Sequence, residues 1–235
     1  MAIYAISDLH LALSVDKPMD IFGHIWENCV ERLWENWQKT VKSTDVVIMP
    51  GDISWATYIH NADADFAFID RLNGQKLILK GNHDYWWTTL RKMNQYLEKK
   101  AFHSIRFIHN NAFLIGTTAI CGTRGWTLPH ASSTQEDIRF FEREKQRLVL
   151  SLEDAKRQKA ETIIAALHYP PVEQNGGNTG FLEIMQQYGV AKCVYGHLHG
   201  AGHRQAVNGT AGGIEMQLVS CDYLNFTPIL LQSDT

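Results

Sequence analysis

Five short apolar, β-rich runs in this chain each end in a motif built from Asp, Asn, His and Gly. The runs are AIYAI, DVVIM, KLILK, TIIAAL and AKCVY, and the motifs that follow them are SDLH, PGD, GNHD, LHYPP and GHLH. Ligand sites in α/β sheets gather beyond the carboxyl ends of strands, so five such ends can meet at one place. The motifs carry nine candidate residues: Asp8, His10, Asp52, Asn82, His83, Asp84, His168, His197 and His199. Mixed carboxylate, amide and imidazole donors of this kind suit one or two divalent metals.

The nine residues reach from Asp8 to His199 of 235, so nearly the whole chain is needed to assemble them. A single domain over 1–235 is expected, with a candidate lid segment around 123–160. Hydrophobic residues make up 45% and charged residues 20%, an ordinary globular composition. The net charge is −3, from 22 Lys+Arg against 25 Asp+Glu, and no long basic run stands out. Nucleic acid is therefore not a favoured partner, though a local basic groove on a nuclease is not excluded. Cys29, Cys121, Cys193 and Cys221 form no C-x-x-C pair, and Cys193 and Cys221 lie in apolar runs as buried free thiols. A reduced, cytoplasmic setting is expected. The opening MAIYAISDLH has neither a basic nor a long apolar stretch, so no signal peptide and no membrane span is read there. Composition does not set the oligomeric state.

Phe22, Trp26, Cys29/Val30, Leu33 and Trp37 recur at helical spacing and predict a helix to about Lys42 between the first two strands. That strand–helix–strand order argues for a parallel crossover. Ala62 to Leu72 and Thr88 to Lys100 read as helices. The segment FIHNNAFLIGTTAICG reads as a hairpin around Asn110-Asn111. Ser133-Thr134-Gln135-Glu136 resembles a capping box that opens a long charged helix to about Lys159. Phe181 to Tyr188 reads as a short helix and Ile214 to Leu231 as further strands.

Taken singly, most motifs have plainer readings. Asp8 and His10, two apart in an extended segment, point to one side, but D-x-H also arises when an Asp caps a turn. Gly51-Asp52 alone is an ordinary turn dipeptide. Asn82 offers a carbonyl oxygen to a metal, while the adjacent His83 points toward substrate; Asp84 can hold a His83 ring nitrogen, and either Asn82 or Asp84 could instead cap a helix. A lone His168 is more often a core histidine. His197 and His199, flanked by glycines at a strand end, are the sharpest pair. Order and placement together favour the metal reading.

The set D-x-H, G-D, G-N-H-D, H and G-H-x-H, in that order, resembles the calcineurin-like metallophosphoesterase family. The resemblance implies an α/β fold, a four-layer α/β/β/α sandwich, with a dinuclear metal centre. It implies that Asp8, His10, Asp52 and His199 hold one ion, and that Asp52, Asn82, His168 and His197 hold the other, with Asp52 as the bridge. His83 matches the family's catalytic histidine and Asp84 its orienting partner. The implied activity is hydrolysis of a phosphomonoester or a small phosphodiester or nucleotide through a metal-bridging hydroxide. Among metals the mixed donor set puts Mn first, with Fe, Zn or Ni as alternatives. Gly51-Asp52-Ile53-Ser54-Trp55 lacks the G-D-x-x-D-R-G pattern of the eukaryotic Ser/Thr phosphatases, and GNHD departs from the G-N-R-D of the lipid A precursor hydrolases. A nuclease of the same family is the alternative, and a non-catalytic scaffold is less favoured because no ligand is missing.

Outside the motifs, Arg124 is the one candidate for a substrate phosphate; the competing reading is an Arg stacked on Trp126. Tyr85, Trp86, Trp87, His130 and Asn178 are read first as packing or loop residues. His24, His60, His103, His109 and His203 receive no role.

Overall fold

The apolar runs become the central strands of two sheets. Val46–Met49 (β2) is buried at all four positions, as suits a parallel strand covered on both faces. It pairs in parallel with Ala2–Ala5 (β1) on one side and with Gln75–Ile78 (β3) on the other. Ile105–Phe107 (β4) continues the sheet in parallel beyond β3. Helices Cys29–Thr40 (α1), Asp63–Arg71 (α2) and Leu90–Lys100 (α3) supply its core, where Leu33, Trp37, Phe66 and Met93 pack with Val47, Met49, Ile78 and Phe107.

In the second sheet, Thr118–Thr123 (β6), Thr162–Leu167 (β7), Lys192–Tyr195 (β8) and Ile214–Leu218 (β10) run parallel in that order. Phe113–Ile115 (β5) and Gly209–Ala211 (β9) line its two edges antiparallel. Gln135–Arg157 (α4) and Gly180–Gln187 (α5) cover it. A buried stripe on α4, including Phe141, Leu148, Leu152 and Ala155, joins a core with Cys121, Ala165, Phe181 and Cys193. The strand Ile229–Ser233 (β11) belongs to the first sheet, antiparallel to β1 at its edge.

This computed structural model describes residues 1–174, 176–177 and 179–233. Asn178 lies outside the described residues. The chain divides into two compact units: Met1–Phe107 with Val219–Thr235, and Ile108–Leu218. Two multi-stranded sheets with their helices are the mixed α/β architecture of the metallophosphoesterase type. Among the described residues no helix is long and apolar enough to cross a membrane. All four cysteines are free, and Cys121, Cys193 and Cys221 are buried.

Three sequence expectations shift. The first helix begins at Cys29, not near Phe22, because Gly23 (φ 118°) and Asn28 (φ 50°) leave the helical region; two short 3-10 turns, Met19–Phe22 and His24–Trp26, fill the stretch before it. The hairpin turns at Gly116-Thr117 between β5 and β6, not at Asn110-Asn111, because Ile105–Phe107 is taken up by parallel pairing with β3. The capping box is closed by Asp137, whose carboxylate accepts the Thr134 N–H while the Thr134 hydroxyl accepts the Asp137 N–H.

Candidate metal centre

In the first unit, the loop after β1 runs beside the loop after β2. The Asp8 N–H donates to Gly51 O at 2.9 Å, His10 N–H to Asp52 O at 3.0 Å, and Leu11 N–H to Ile53 O at 2.9 Å. The side chains are not placed by strand alternation. Asp8 (φ 60°), His10 (φ 47°) and Asp52 (φ 51°) all adopt left-handed backbone. That region costs most residues about 1–3 kcal/mol and is tolerated best by Asn, Asp and His. Asp8 and Asp52 are 0% and 2% exposed and His10 is 5% exposed. An Asp8 ligand atom lies within 4.8 Å of one on His10 and of one on Asp52. His10 Nε2 is 3.8 Å from Asp52 Oδ2, too long for a hydrogen bond. It is within reach of a shared ion, since donors each ~2.0–2.2 Å from one metal can be at most about 4.4 Å apart.

The loop after β3 joins the same cluster through Asp84, which is fully buried. Its Oδ2 accepts the N–H groups of Asp52 (2.9 Å) and Gly81 (2.7 Å). Its Oδ1 accepts the N–H of Ile53 (2.9 Å) and the indole N–H of Trp86 (2.9 Å). Asp52 Oδ1 in turn accepts the His83 N–H at 2.8 Å. Asn82, half-buried, sits between the two anchored residues Gly81 and His83. A Cβ on Gly81 would lie 2.1 Å from Asp52 Oδ1 and 2.2 Å from its backbone N. The glycine of GNHD is therefore what lets the Asp52 carboxylate approach.

Several supports in this unit carried no sequence signal. Trp55 stacks on His10 with ring centroids 4.8 Å apart and lies 4.5 Å from the His83 ring. Lys17 Nζ sits over the Trp55 ring, 3.0 Å from its centroid. The Ser7 hydroxyl donates to Asp8 Oδ2, and the Ser220 hydroxyl donates to the same oxygen at 3.3 Å. Asp65, fully buried on α2, accepts the Leu13 N–H at 2.8 Å and the Ser54 hydroxyl, tying the two ligand loops to a helix. Burial pushes the Asp65 carboxyl above the ordinary value of 3.8, against the opposing hydrogen bonds from Ser54, Leu13 and Ser14. Of the aromatics after the motif, Trp86 is buried packing and Tyr85 is exposed.

In the second unit, His168 leaves β7 fully buried, and its N–H and that of Tyr169 both donate to Arg124 O at 3.0 Å. His197 follows β8 with φ 73°, again left-handed. Its Nδ1 lies 3.3 Å from His168 Nε2, within the same two-donor limit. His199, half-buried, opens the 3-10 turn Gly200–Gln205, with the Gly202 N–H donating to its carbonyl at 2.8 Å. Arg124 is 12% exposed; its guanidinium lies 3.7 Å from the fully buried Glu144 and 4.4 Å over the Trp126 ring. Its Nε is buried without a hydrogen-bond partner. Burial pushes the Arg124 pKa down, opposed by the Glu144 charge. Sequence reasoning missed Glu144, which also holds Arg147 at 3.1 Å.

Carboxylate, amide and imidazole donors at parallel strand ends, on two helix-covered sheets, are the features of a metal-using α/β phosphoesterase. A family model described as calcineurin-like phosphoesterase matches residues 1–201. The chain belongs to that family of phosphate-ester hydrolases. No curated protein matches the chain significantly. Among solved structures it is similar to a protein of unknown function, AQ665, from Aquifex aeolicus (16% identity, 97% of this chain and 95% of that one, TM-score 0.51). It is also similar to a phosphopantetheinyl hydrolase from Mycobacterium tuberculosis (13% identity, 99% and 96%, TM-score 0.55). A third relative in fold is TT1561 of Thermus thermophilus (11% identity, 91% and 86%, TM-score 0.59). At these identities the likeness is one of fold.

Proposed function

We propose that the chain hydrolyses a phosphomonoester or a small phosphodiester or nucleotide with two divalent ions, Mn first among the candidates. Asp8, His10, Asp52 and His199 would hold one ion, and Asp52, Asn82, His168 and His197 the other. One observation carries this reading. Asp8, His10, Asp52 and His197, four residues of that set, all occupy left-handed backbone at the ends of their strands. Such backbone clusters where function demands it. The donor set fits: buried carboxylates and imidazoles stand at spacings that a shared ion spans.

When bound, the ions supply positive charge to the phosphoryl oxygens and acidify a water. The protein's own groups then do the rest. Asp84 fixes the backbone of Asp52 and Gly81, and Asp52 fixes that of His83, so ligand and acid move as one body. His83, half-buried beside Trp55, would donate a proton to the leaving oxygen. Trp55 holds the His10 ring in plane. Arg124 remains the candidate for a substrate phosphate, with its guanidinium set by Glu144 and Trp126. Any lid role in the segment 123–160 is assigned to the loop before α4, since the buried stripe holds the helix itself. Likeness in fold to a chain described as a phosphopantetheinyl hydrolase is in keeping with a phosphoester substrate. The buried free thiols support a reducing, cytoplasmic setting.

The test is metal removal. Prolonged dialysis against chelator should abolish hydrolysis of nitrophenyl and bis-nitrophenyl phosphate, and Mn²⁺ should restore it. Asp52→Ala should lose more bound metal per chain than any other single ligand change. Full activity in excess chelator, or two tight ions retained by Asp52→Ala, would overturn the reading.

A further inference from the structure

A cleft of about 280 Å³ opens in the second unit beside His197, just below the ~300–1,000 Å³ common for small-molecule sites. Its walls include Trp126, Leu128, Tyr169 and Leu198, and its lining also includes Glu173 and Gln205. The aromatic rings form a continuous run toward the proposed metal ligand. Phe140 and Trp126 lie 4.8 Å apart, Trp126 and Tyr169 5.6 Å, and Tyr169 and His197 4.2 Å.

Trp126 is held in place before any ligand arrives. Its indole N–H donates to Asp137 Oδ1 at 3.3 Å, and the Arg124 guanidinium lies over its ring. A fixed indole costs little entropy on binding and offers a flat apolar surface. Glu173 adds a carboxylate that accepts from amino groups, and Gln205 adds a carboxamide that both donates and accepts. Flat aromatic walls with a polar edge match a heteroaromatic ring that carries amino or carbonyl groups. A polyol would leave the rings wet, and a plain alkyl chain would make no use of the polar edge.

We propose that this cleft binds a nucleobase-type heteroaromatic group of the substrate, next to the phosphoryl group that the metal ligands receive. The proposal rests on the phosphoesterase reading for its link to catalysis, but the binding itself can be measured without turnover. Base–aromatic stacking is worth ~1–3 kcal/mol per base, or roughly a ten- to hundredfold change in affinity on loss of the ring.

The experiment is calorimetric titration of the full, Mn-loaded chain with adenosine and with ribose, neither of which carries phosphate. Adenosine should bind and ribose should not. Trp126→Ala should weaken adenosine roughly ten- to hundredfold, and Trp126→Phe should keep most of the affinity. If Trp126→Ala does not fold, Leu128→Asp carries the same expectation of weakened binding. Adenosine binding no tighter than ribose, or unchanged in a folded Trp126→Ala or Leu128→Asp chain, overturns the proposal. Failure to hydrolyse any phosphoester would sink the phosphoesterase reading instead and would leave the titration result standing.

Discussion

The Asp84 carboxylate holds Asp52 by its backbone, Oδ2 accepting the Asp52 N–H at 2.9 Å. The same oxygen takes the Gly81 N–H, so one buried group pins the loops after two strands. Asp84→Asn keeps the shape but replaces one acceptor oxygen with a donor that faces N–H groups. The change should cost about 1.5–3 kcal/mol of stability, the range for hydrogen bonds to a charged group. It should also lower metal content together with activity. Denaturant unfolding and metal analysis of the same preparation check both. Unchanged stability with lost activity would instead give Asp84 a direct role in the reaction.

Gly81→Ala should be more damaging than its size suggests. The new methyl would meet Asp52 Oδ1 at 2.1 Å and must displace either that carboxylate or the GNHD loop. Bound metal per chain should fall, with kcat down roughly ten- to a hundredfold if Asp52 is a shared ligand. Metal analysis and steady-state kinetics read this out. A variant with full metal and normal kcat would show that the loop can retreat without loss.

His83→Ala should keep its metal and still slow turnover. The His83 backbone, not its ring, is bound to Asp52, and the ring is outside the proposed ligand set. Loss of a general acid costs on the order of 10²–10⁴-fold. The loss should be smaller for a nitrophenyl ester, whose leaving oxygen needs less protonation, than for an alkyl ester. Equal losses on the two esters would point to phosphate binding rather than proton donation.

Arg124→Ala should raise KM with metal content unchanged. Stripping a buried ion pair of one partner costs ~3–5 kcal/mol. Here the loss should be nearer ~1–3 kcal/mol, because Arg147 stays 3.1 Å from Glu144. Kinetics on a phosphomonoester and urea unfolding separate the two effects. Unaltered KM would leave Arg124 as a structural pin for Trp126.

Stability should depend on pH through Asp65. Burial raises its folded-state pKa above 3.8, so between that value and the raised one the folded chain binds the extra proton. The stabilising contribution is complete below 3.8 and is lost as pH rises through the folded-state value. Asp65→Asn removes this dependence while keeping an acceptor for the Leu13 N–H. In urea unfolding of chelated protein from about pH 4 to about pH 7, the variant should gain on the natural chain as pH rises. A constant difference across that range would mean that Asp65 is not shifted.

The strand ends were legible because parallel strands buried on both faces leave uninterrupted apolar runs, and the chemistry follows them directly. Val46–Met49 before Pro50-Gly51-Asp52 is the clearest case. The local backbone was not legible. D-x-H reads as an extended pair, yet Asp8 and His10 both turn left-handed because they are hydrogen-bonded to the loop around Asp52, which is distant in sequence. The supports were hidden for the same reason. Trp55, Asp65 and Ser220 are ordinary residues in sequence and matter only through what they touch. Asn28 is another such residue: hydrophobic spacing carries a helix through it, and a single left-handed residue ends that continuity.

The pairing of β11 with β1 has a consequence for synthesis. Ile108–Leu218 is one uninterrupted stretch that makes one compact unit, so all of its own strands and helices are synthesised before β11. The first sheet cannot be completed then, because the neighbour of β1 is made more than two hundred residues after it. At roughly 5–20 residues per second, β1 waits on the order of ten seconds or more with an open edge. An unpaired strand edge is a template for aggregation. A nascent chain stalled after residue 218 would therefore be a client for chaperones, and one released after residue 233 would not.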